Sequence, residues 1–225
     1  NDLKKNRKNQ VKEYFNVQYG FATLRDSIFI SEKTKFKNDL CLFNGMEIEK
    51  DLVHKIVKGS TYKGKSNEIK YIIYPYRRVL GRYEVVPEES MKKDYPLTYK
   101  YFLHFEESLK ERSMDKGTIW YEFGRSQGVQ TIHNKKIVVS TLMKDKILFY
   151  KLPSDVMVYS GIYITKRDKM VNLNDIIDVL KSDDFKRFIE ITGKNFSGGY
   201  KSITTTQIKD FNIKKLESSQ LKLDI

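Results

Sequence analysis

The chain carries its apolar residues in short β-branched and aromatic runs, which turn residues interrupt. The clearest run is IKYIIYPY at 69–76, and similar runs stand at 14–30, 52–57, 118–123, 135–142 and 160–166. Runs of this length and composition, bounded by glycine, asparagine or proline, predict short β-strands. None approaches the length that a bilayer-spanning helix needs.

Two stretches have the spacing of helices instead. Asp94 is placed to cap the first, Pro96 stands in its first turn, and Tyr95, Tyr99, Phe102 and Leu109 follow at helical spacing. The second begins near Asn174 and carries one apolar face, formed by Ile176, Ile177, Leu180, Phe185, Phe188 and Ile189. Together the patterns predict an α+β fold, mixed and strand-rich, with two main helices.

The charge of the chain points to a polyanionic partner. Lysine and arginine number 42 against 29 acidic residues, so the formal net charge is +13. Such an excess favours nucleic acid first and an anionic membrane surface second. Cys41 is the one cysteine and therefore supports neither a disulfide framework nor a thiolate metal site, which agrees with a cytoplasmic location.

One segment matches a phosphate-binding motif in its letters. GSTYKGKS at 59–66 has the spacing of a P-loop, which requires a strand before the loop and a helix after it. The residues that follow, NEIKYIIYPY, predict a strand. A lysine-rich loop between strands is the better interpretation, and Lys58, Lys63 and Lys65 in it are suited to DNA phosphates.

Catalytic patterns are sparse. His54, His104 and His133 are scattered, with no pair at metal-ligand spacing. Asp155 precedes Lys166, but Ile164 stands where a metal nuclease would carry an acidic residue. We find neither a glycine-rich cofactor loop nor an Asn-Pro-Pro-Tyr motif, so the residues predict no active site within this chain.

Basic residues beside aromatic ones are the better candidates for binding. Arg77 and Arg78 follow YPY, and Arg125 and Gln127 stand near a turn in WYEFGRSQG, where their side chains match guanine and adenine edges. Tyr200 and Lys201 follow two glycines in SGGYKS, a backbone suited to close approach of a phosphate. Any one of these side chains alone is more typical of a solvated surface, whereas the set together with the net charge favours nucleic acid.

The order of these blocks resembles a known family. YGFATLRDSIFI, IVKGSTY, YIIYPY, YPLTYKYFLHFEESLKER, WYEFGRSQG, KKIVVS, GIYIT and GKNFSGGYKSITTTQIKDFNI follow one another as in TaqI-like C-terminal specificity domains. These are the target-recognition domains of restriction-modification adenine-N6 DNA methyltransferases. The resemblance runs from about Tyr14 to Ile213, and related domains occur in type I specificity subunits and fused restriction-methylation enzymes.

The resemblance implies a division of labour. It assigns residues 1–13 to a linker from a missing N-terminal methyltransferase domain and residues 14–225 to a domain that recognises a target in double-stranded DNA. The methyltransferase domain of the same chain would bind S-adenosylmethionine and flip an adenine into its pocket. We therefore expect no cofactor and no methyl transfer in this fragment alone, no membrane partner, and a site-specific adenine methyltransferase as the parent enzyme.

Two other classes of function stay open at this point. The chain could retain catalysis, as a nuclease or a P-loop nucleotide hydrolase. It could also be a protein-interaction module whose basic, tyrosine-rich surface meets an acidic partner.

Overall fold

A computed structural model describes residues 9–114 and 116–213 of the chain. Its helices are α1 (Val11–Tyr14), α2 (Asp26–Phe29), α3 (Glu88–Asp94), α4 (Pro96–His104), α5 (Glu106–Lys110), α6 (Leu173–Lys181), α7 (Asp183–Thr192) and α8 (Thr205–Asp210). Its strands are β1 (Phe15–Tyr19), β2 (Ile30–Ser31), β3 (Lys35–Lys37), β4 (Leu40–Phe43), β5 (Met46–Glu49), β6 (Val53–Lys58), β7 (Lys70–Ile73), β8 (Tyr76–Val79), β9 (Arg82–Val85), β10 (Lys136–Val139), β11 (Leu142–Met143), β12 (Phe149–Leu152), β13 (Val156–Tyr159), β14 (Ile162–Lys166), β15 (Asn195–Phe196) and β16 (Tyr200–Ser202). The predicted strand-rich α+β fold is confirmed.

A central antiparallel sheet separates two apolar clusters. Its order is β1-β14-β10-β12, and its side chains alternate between the two faces. Val138 and Tyr163 point into the large cluster, which is built mainly from residues between Phe21 and Tyr163. Ile137 and Ile164 point into the C-terminal cluster, which also contains the buried faces of α6, α7 and α8. Because both faces are covered, this sheet belongs to both cores.

A second four-stranded sheet, β13-β6-β7-β2, brings distant parts of the sequence together. β13 pairs with β6 in parallel, with Val156 opposite Lys55 and Tyr159 opposite Lys58. β7 lies antiparallel on the other side of β6, and β2 completes the sheet. The smaller sheets are β3-β4-β5, β11-β16-β15 and the β8-β9 hairpin.

The first predicted helix is divided into α3, α4 and α5. Pro96 occupies the first turn of α4, as expected, but Asp94 is the last residue of α3 and Tyr95 holds the N-cap position without a side-chain bond. Glu49, from β5, accepts hydrogen bonds from the backbone N–H groups of Leu97 (2.9 Å) and Thr98 (2.8 Å) instead. The predicted Asp94 cap is therefore wrong, because a carboxylate from a distant strand satisfies the helix start.

The second predicted helix is also two helices, α6 and α7. Asn172 caps α6 through the N–H of Asn174, and Ser182 caps α7 through the N–H of Phe185. The apolar residues expected on one face are buried or packed in the C-terminal cluster, with Ile176, Phe185 and Ile189 fully buried. The predicted face is confirmed.

One other expectation is corrected. Residues 118–123 form turns and not a strand, although Tyr121 and Phe123 are buried. Residues 9–13 of the segment assigned to a linker fall within the described chain. Val11 is fully buried there and its N–H donates to Phe211 O at 3.1 Å, whereas Lys12 and Glu13 are exposed. The assignment of residues 1–13 to a linker stays a prediction. Residues 1–8 and 214–225 lie outside the described residues. No helix in the described part of the chain is long and apolar enough to cross a bilayer.

Candidate nucleic-acid interface

Glycines allow four segments to meet closely at one end of the β13-β6 pair. A Cβ on Gly161 would lie 2.4 Å from the carbonyl carbon of Gly59, and a Cβ on Gly20 would lie 2.3 Å from Val158 O. Both obstacles are backbone atoms, so a larger residue would force the segments apart. We call this place, formed by residues 19–24, 58–62, 124–128 and 158–161, the glycine junction.

Backbone hydrogen bonds hold the junction together. Gly59 N–H donates to Tyr159 O and Gly20 N–H donates to Gly161 O, each at 2.8 Å. Ala22 and Arg125 exchange two bonds of 3.0 Å through an isolated antiparallel bridge. The turn that carries Arg125 and Gln127 is thereby fixed beside the loop that begins at Lys58.

The structure treats Arg125 and Gln127 differently. Arg125 is half-buried, and its guanidinium donates to Ser113 O at 2.8 Å and Gly124 O at 2.7 Å. Gln127 is exposed, and its side-chain amide nitrogen donates a long hydrogen bond of 3.4 Å to Gly20 O. Gln127 is thus the more exposed of the two and has one long bond within the junction, whereas Arg125 ties the turn to Ser113. Their assignment as base-reading residues stays a prediction.

Arg112 is a structural residue that the sequence patterns do not identify. Its buried guanidinium donates to four backbone carbonyls, those of Thr23 (2.6 Å), Trp120 (2.6 Å), Leu109 (2.9 Å) and Glu122 (2.9 Å). Burial, together with the nearby Arg25, lowers the pKa of Arg112 to about 10. These four bonds order the irregular segment before the Arg125 turn, and no spacing rule in the sequence identifies such a contact.

The lysine-rich loop follows β6 and ends in a strand, as expected. Lys58, Lys63 and Lys65 are exposed, and a single turn of 3₁₀-helix at Ser66–Glu68 leads into β7. The backbone N–H groups of Lys63 and Lys65 donate to the carboxylate of Glu68 at 2.9 and 3.0 Å. In a P-loop such N–H groups bind the phosphate of a nucleotide, but here the Glu68 carboxylate occupies them. The element after the loop is the strand β7 and not the helix that a P-loop requires.

Arg77 and Arg78 are exposed on the β8-β9 hairpin, opposite Glu84 and Tyr83 respectively. Gln130 joins this hairpin to the helical turn Val129–Thr131 next to the glycine junction. Its side chain accepts from Tyr83 N–H at 3.0 Å and donates to Tyr83 O at 2.7 Å. The hairpin is thus attached to the same part of the domain as the Gln127 turn.

Tyr200 and Lys201 belong to a separate place. They lie on β16, where Lys201 pairs with Met143 of β11 and the ring of Tyr200 lies 5.8 Å from Lys144 Nζ. β16 contacts α7 and the C-terminal cluster. The described structure therefore brings seven of the nine candidates to the junction, its loop and the adjoining hairpin, and leaves these two apart.

Two of the three scattered histidines meet inside the protein. The rings of His54 and His133 lie 5.7 Å apart, and Tyr83 stacks on His133 at 4.4 Å. Burial, together with the neighbouring His54, Lys136 and Arg78, lowers the pKa of His133 to about 4. Among the described residues, no group of three or more histidine, cysteine or acidic side chains is placed to hold a metal ion.

Comparisons with known proteins place the chain near restriction-modification enzymes. No protein-family model matches it. Over 148 residues it is 26% identical to the type II restriction enzyme and methyltransferase RM.Eco57I of Escherichia coli, which covers 56% of this chain and 14% of that protein. The chain is thus related to a segment of a restriction-modification enzyme.

A solved structure shares the fold. The type IIL restriction-modification enzyme MmeI, determined in complex with DNA, matches with a TM-score of 0.58 at 11% identity. The match covers 91% of this chain and 25% of MmeI. The chain therefore spans about a seventh of one relative and a quarter of the other.

Proposed function

We propose that this chain is the DNA target-recognition part of a restriction-modification enzyme that methylates adenine at N6. The sequence relation to RM.Eco57I carries the proposal. The net charge of +13 and the exposed basic residues around the glycine junction support it. The resemblance to TaqI-like specificity domains supplies the narrower assignment to adenine-N6 methylation.

In this proposal the chain binds and a methyltransferase domain of the parent enzyme catalyses. S-adenosylmethionine would bind to that domain. The glycine-lysine loop of this chain, whose Lys63 and Lys65 N–H groups are bonded to Glu68, does not fit a nucleotide-like cofactor. We derive no reaction step through this chain. The same loop geometry disfavours the P-loop hydrolase alternative.

We assign the residues of the junction and its loop to two roles, the binding of DNA phosphates and the recognition of bases. Lys58, Lys63 and Lys65 have exposed ammonium groups on one loop, an arrangement suited to successive DNA phosphates. Gln127 stands exposed on an anchored turn, and its long bond to Gly20 O uses one of the two amide hydrogens. The second N–H and the amide oxygen are the groups that pair with an adenine edge. Arg125 would contribute chiefly by holding that turn, because its guanidinium already bonds two carbonyls.

The first test is direct binding. The purified chain is incubated with a random pool of duplexes, retained duplexes are amplified over several rounds, and affinity for the selected duplex is measured by mobility shift at rising salt. We expect affinity to fall steeply between 50 and 200 mM salt, by about tenfold for every two phosphates contacted. Affinity that is insensitive to salt, or a pool that never converges, would contradict the proposal.

The second test separates base recognition from phosphate binding. Gln127→Ala should reduce the preference for the selected duplex over random DNA by about tenfold, with a smaller loss on random DNA. Lys65→Ala should weaken both duplexes equally and lower the salt slope by about one. Lys181→Ala, an exposed lysine at the end of α6 in the C-terminal half, is the matched control and should change neither. Equal losses for Gln127→Ala on both duplexes would remove Gln127 as a reading residue.

A further inference from the structure

Leu80 is the most exposed large apolar side chain of the described residues, with a relative exposure of 102%. It forms the tip of the β8-β9 hairpin together with Gly81. Val79 and Arg82 close the turn as the last paired residues of the two strands. The side chain of Leu80 therefore extends from the narrowest end of the hairpin without packing on the domain.

The backbone at the tip makes the leucine more unusual. Leu80 has φ of +47° and Gly81 has φ of +87°, the condition of a type I′ turn. Asparagine or aspartate before glycine is the preferred pair there. A Cβ atom is strained at positive φ, and the short polar side chains of these two residues offset the strain by local hydrogen bonds, which leucine cannot make. Leu80 thus neither eases the turn nor covers apolar surface. A residue that costs stability at both levels points to a contact made with a partner.

The hairpin behind the tip is firmly mounted. Tyr76 is buried at the start of β8, and Tyr83 of β9 stacks on His133. Gln130 bonds both the N–H and the carbonyl of Tyr83. A side chain at the tip of a hairpin held in this way keeps its position when it contacts a partner, because the hairpin is packed against and hydrogen-bonded to the domain.

The charge around the tip indicates the chemistry of the partner. Arg78 and Arg82 stand exposed on either side of the turn, and Arg77 lies one residue further back opposite Glu84. Guanidinium groups flanking an apolar tip suit a polyanion with an apolar interior. Duplex DNA has that combination, with phosphates outside and stacked bases within.

We propose that Leu80 inserts as a wedge between neighbouring base pairs of duplex DNA while Arg78 and Arg82 hold the flanking phosphates. The inference rests on the proposed function and adds a deformation of the DNA to it. Apolar side chains that enter a base step unstack it and kink the duplex by about 20–90°. The cost of unstacking is offset by burial of the leucine and by the closer fit of bent DNA to the protein.

The test uses the 225-residue chain and the duplex that it selects from the random pool. Leu80→Asn is the main variant, because asparagine tolerates positive φ and should leave the melting temperature unchanged or raised. Leu80→Ala is the second. Leu103→Asn, on the exposed face of α4, is the matched control for loss of a surface leucine. Affinity is measured by mobility shift, and the bend by the mobility of duplexes carrying the site at the centre or at one end.

We expect the wild type to kink the selected duplex and both Leu80 variants to abolish the kink, with affinity about tenfold weaker. Arg78→Ala should weaken binding and lower the salt slope but keep the kink, while Leu103→Asn should behave as wild type. Wild-type binding without a kink, or a Leu80→Asn chain that binds and bends like wild type, overturns the wedge and leaves the proposed function standing. A wild-type chain that selects no duplex overturns both.

Discussion

At the residue scale, Arg112 supplies the hydrogen-bond donors that regular secondary structure would otherwise give to backbone carbonyls in the segment before the Arg125 turn. Residues 119–122 lack a strand partner, and the guanidinium supplies donors to the carbonyls of Trp120 and Glu122 while also reaching Thr23 and Leu109. A planar group with five N–H donors suits this task, since a lysine has neither the reach nor the fork.

We expect Arg112→Met to lower the free energy of unfolding by about 3 kcal/mol or more, because several buried carbonyls lose their donor. Urea denaturation followed by circular dichroism measures it. The control is Arg25→Met, a more exposed neighbour that bonds Ser108 O and pairs with Glu111 at 3.5 Å, for which we expect about 1 kcal/mol or less. Equal losses at the two positions would contradict the structural role of Arg112.

Lys136 makes stability depend on pH in a defined direction. Its side chain is fully buried in β10, and its ammonium donates to Val156 O at 2.8 Å and Pro153 O at 3.1 Å. Burial lowers the pKa of Lys136 from 10.5 to about 8. Between these values the unfolded chain binds the proton and the folded chain does not, so the contribution of Lys136 to stability rises with pH and is lost as pH falls through about 8.

We therefore expect wild type to gain about 2 kcal/mol relative to Lys136→Met between pH 7.5 and 9.5, measured by urea denaturation. The comparison with the variant is essential, because burial raises the pKa of Cys41 to about 11 and that thiol destabilises the fold in the upper part of this range. Lys135→Met, at the exposed neighbouring position, should follow wild type at every pH. A constant difference between wild type and Lys136→Met would contradict the depressed pKa.

At the scale of elements, the start of α4 shows how a helix end can be satisfied from another part of the chain. The carboxylate of Glu49 accepts from the N–H groups of Leu97 and Thr98 and from the Thr98 hydroxyl at 2.5 Å. A negative group at this end also interacts favourably with the helix dipole. The same bonds attach α4 to β5, so one side chain supports both secondary and tertiary structure.

Glu49→Ala should lower the free energy of unfolding by about 1–2 kcal/mol, since two helix N–H groups lose their acceptor. Asp94→Ala, at the residue that the sequence pattern nominates as the cap, is the control and should change stability by less than about 0.5 kcal/mol. Thermal or urea unfolding of both variants distinguishes them. A larger loss at Asp94 would restore the local cap and contradict the contact from β5.

At the scale of the whole molecule, local sequence patterns predict which residues form helices and strands better than they predict where these elements lie in the fold. β6, β7, β10, β14 and the α6-α7 face follow from periodicity, and the strand after the glycine-lysine loop is sufficient to reject a P-loop. Residues 118–123 look like a strand because Tyr121 and Phe123 are apolar, yet they are buried by tertiary contacts without strand pairing. Apolar periodicity indicates which side chains are buried, and a buried side chain does not have to belong to a hydrogen-bonded strand pair.

The gathering of candidate residues depends on the same non-local contacts. Lys58 and Gln127 come near each other because β6 pairs in parallel with β13, and because glycines 20, 59 and 161 permit close backbone contact. Nothing in the spacing of the sequence specifies a pairing across about a hundred residues. The residue types of the candidate interface could therefore be predicted from the sequence, whereas the separation of Tyr200 and Lys201 from the other seven could not.

The shared central sheet has a consequence for how the molecule unfolds. Each of its faces forms part of one apolar cluster, so losing either cluster exposes one side of the same four strands. We expect the two clusters to unfold as one cooperative unit. Trp120, the single tryptophan of the chain, packs against the large cluster and reports on that side alone, whereas far-UV circular dichroism reports on the entire chain.

Phe185→Ala provides the perturbation from the other side. Phe185 is fully buried in the C-terminal cluster, where its ring lies 4.8 Å from that of Phe211. The substitution should cost about 3–5 kcal/mol and shift the Trp120 fluorescence transition in urea to the same lower midpoint as the circular dichroism transition. Phe123→Ala, in the large cluster, should move both signals together as well. If Trp120 kept its wild-type midpoint while circular dichroism became biphasic, the sheet would not couple the two cores, and the C-terminal cluster would be a separate folding unit.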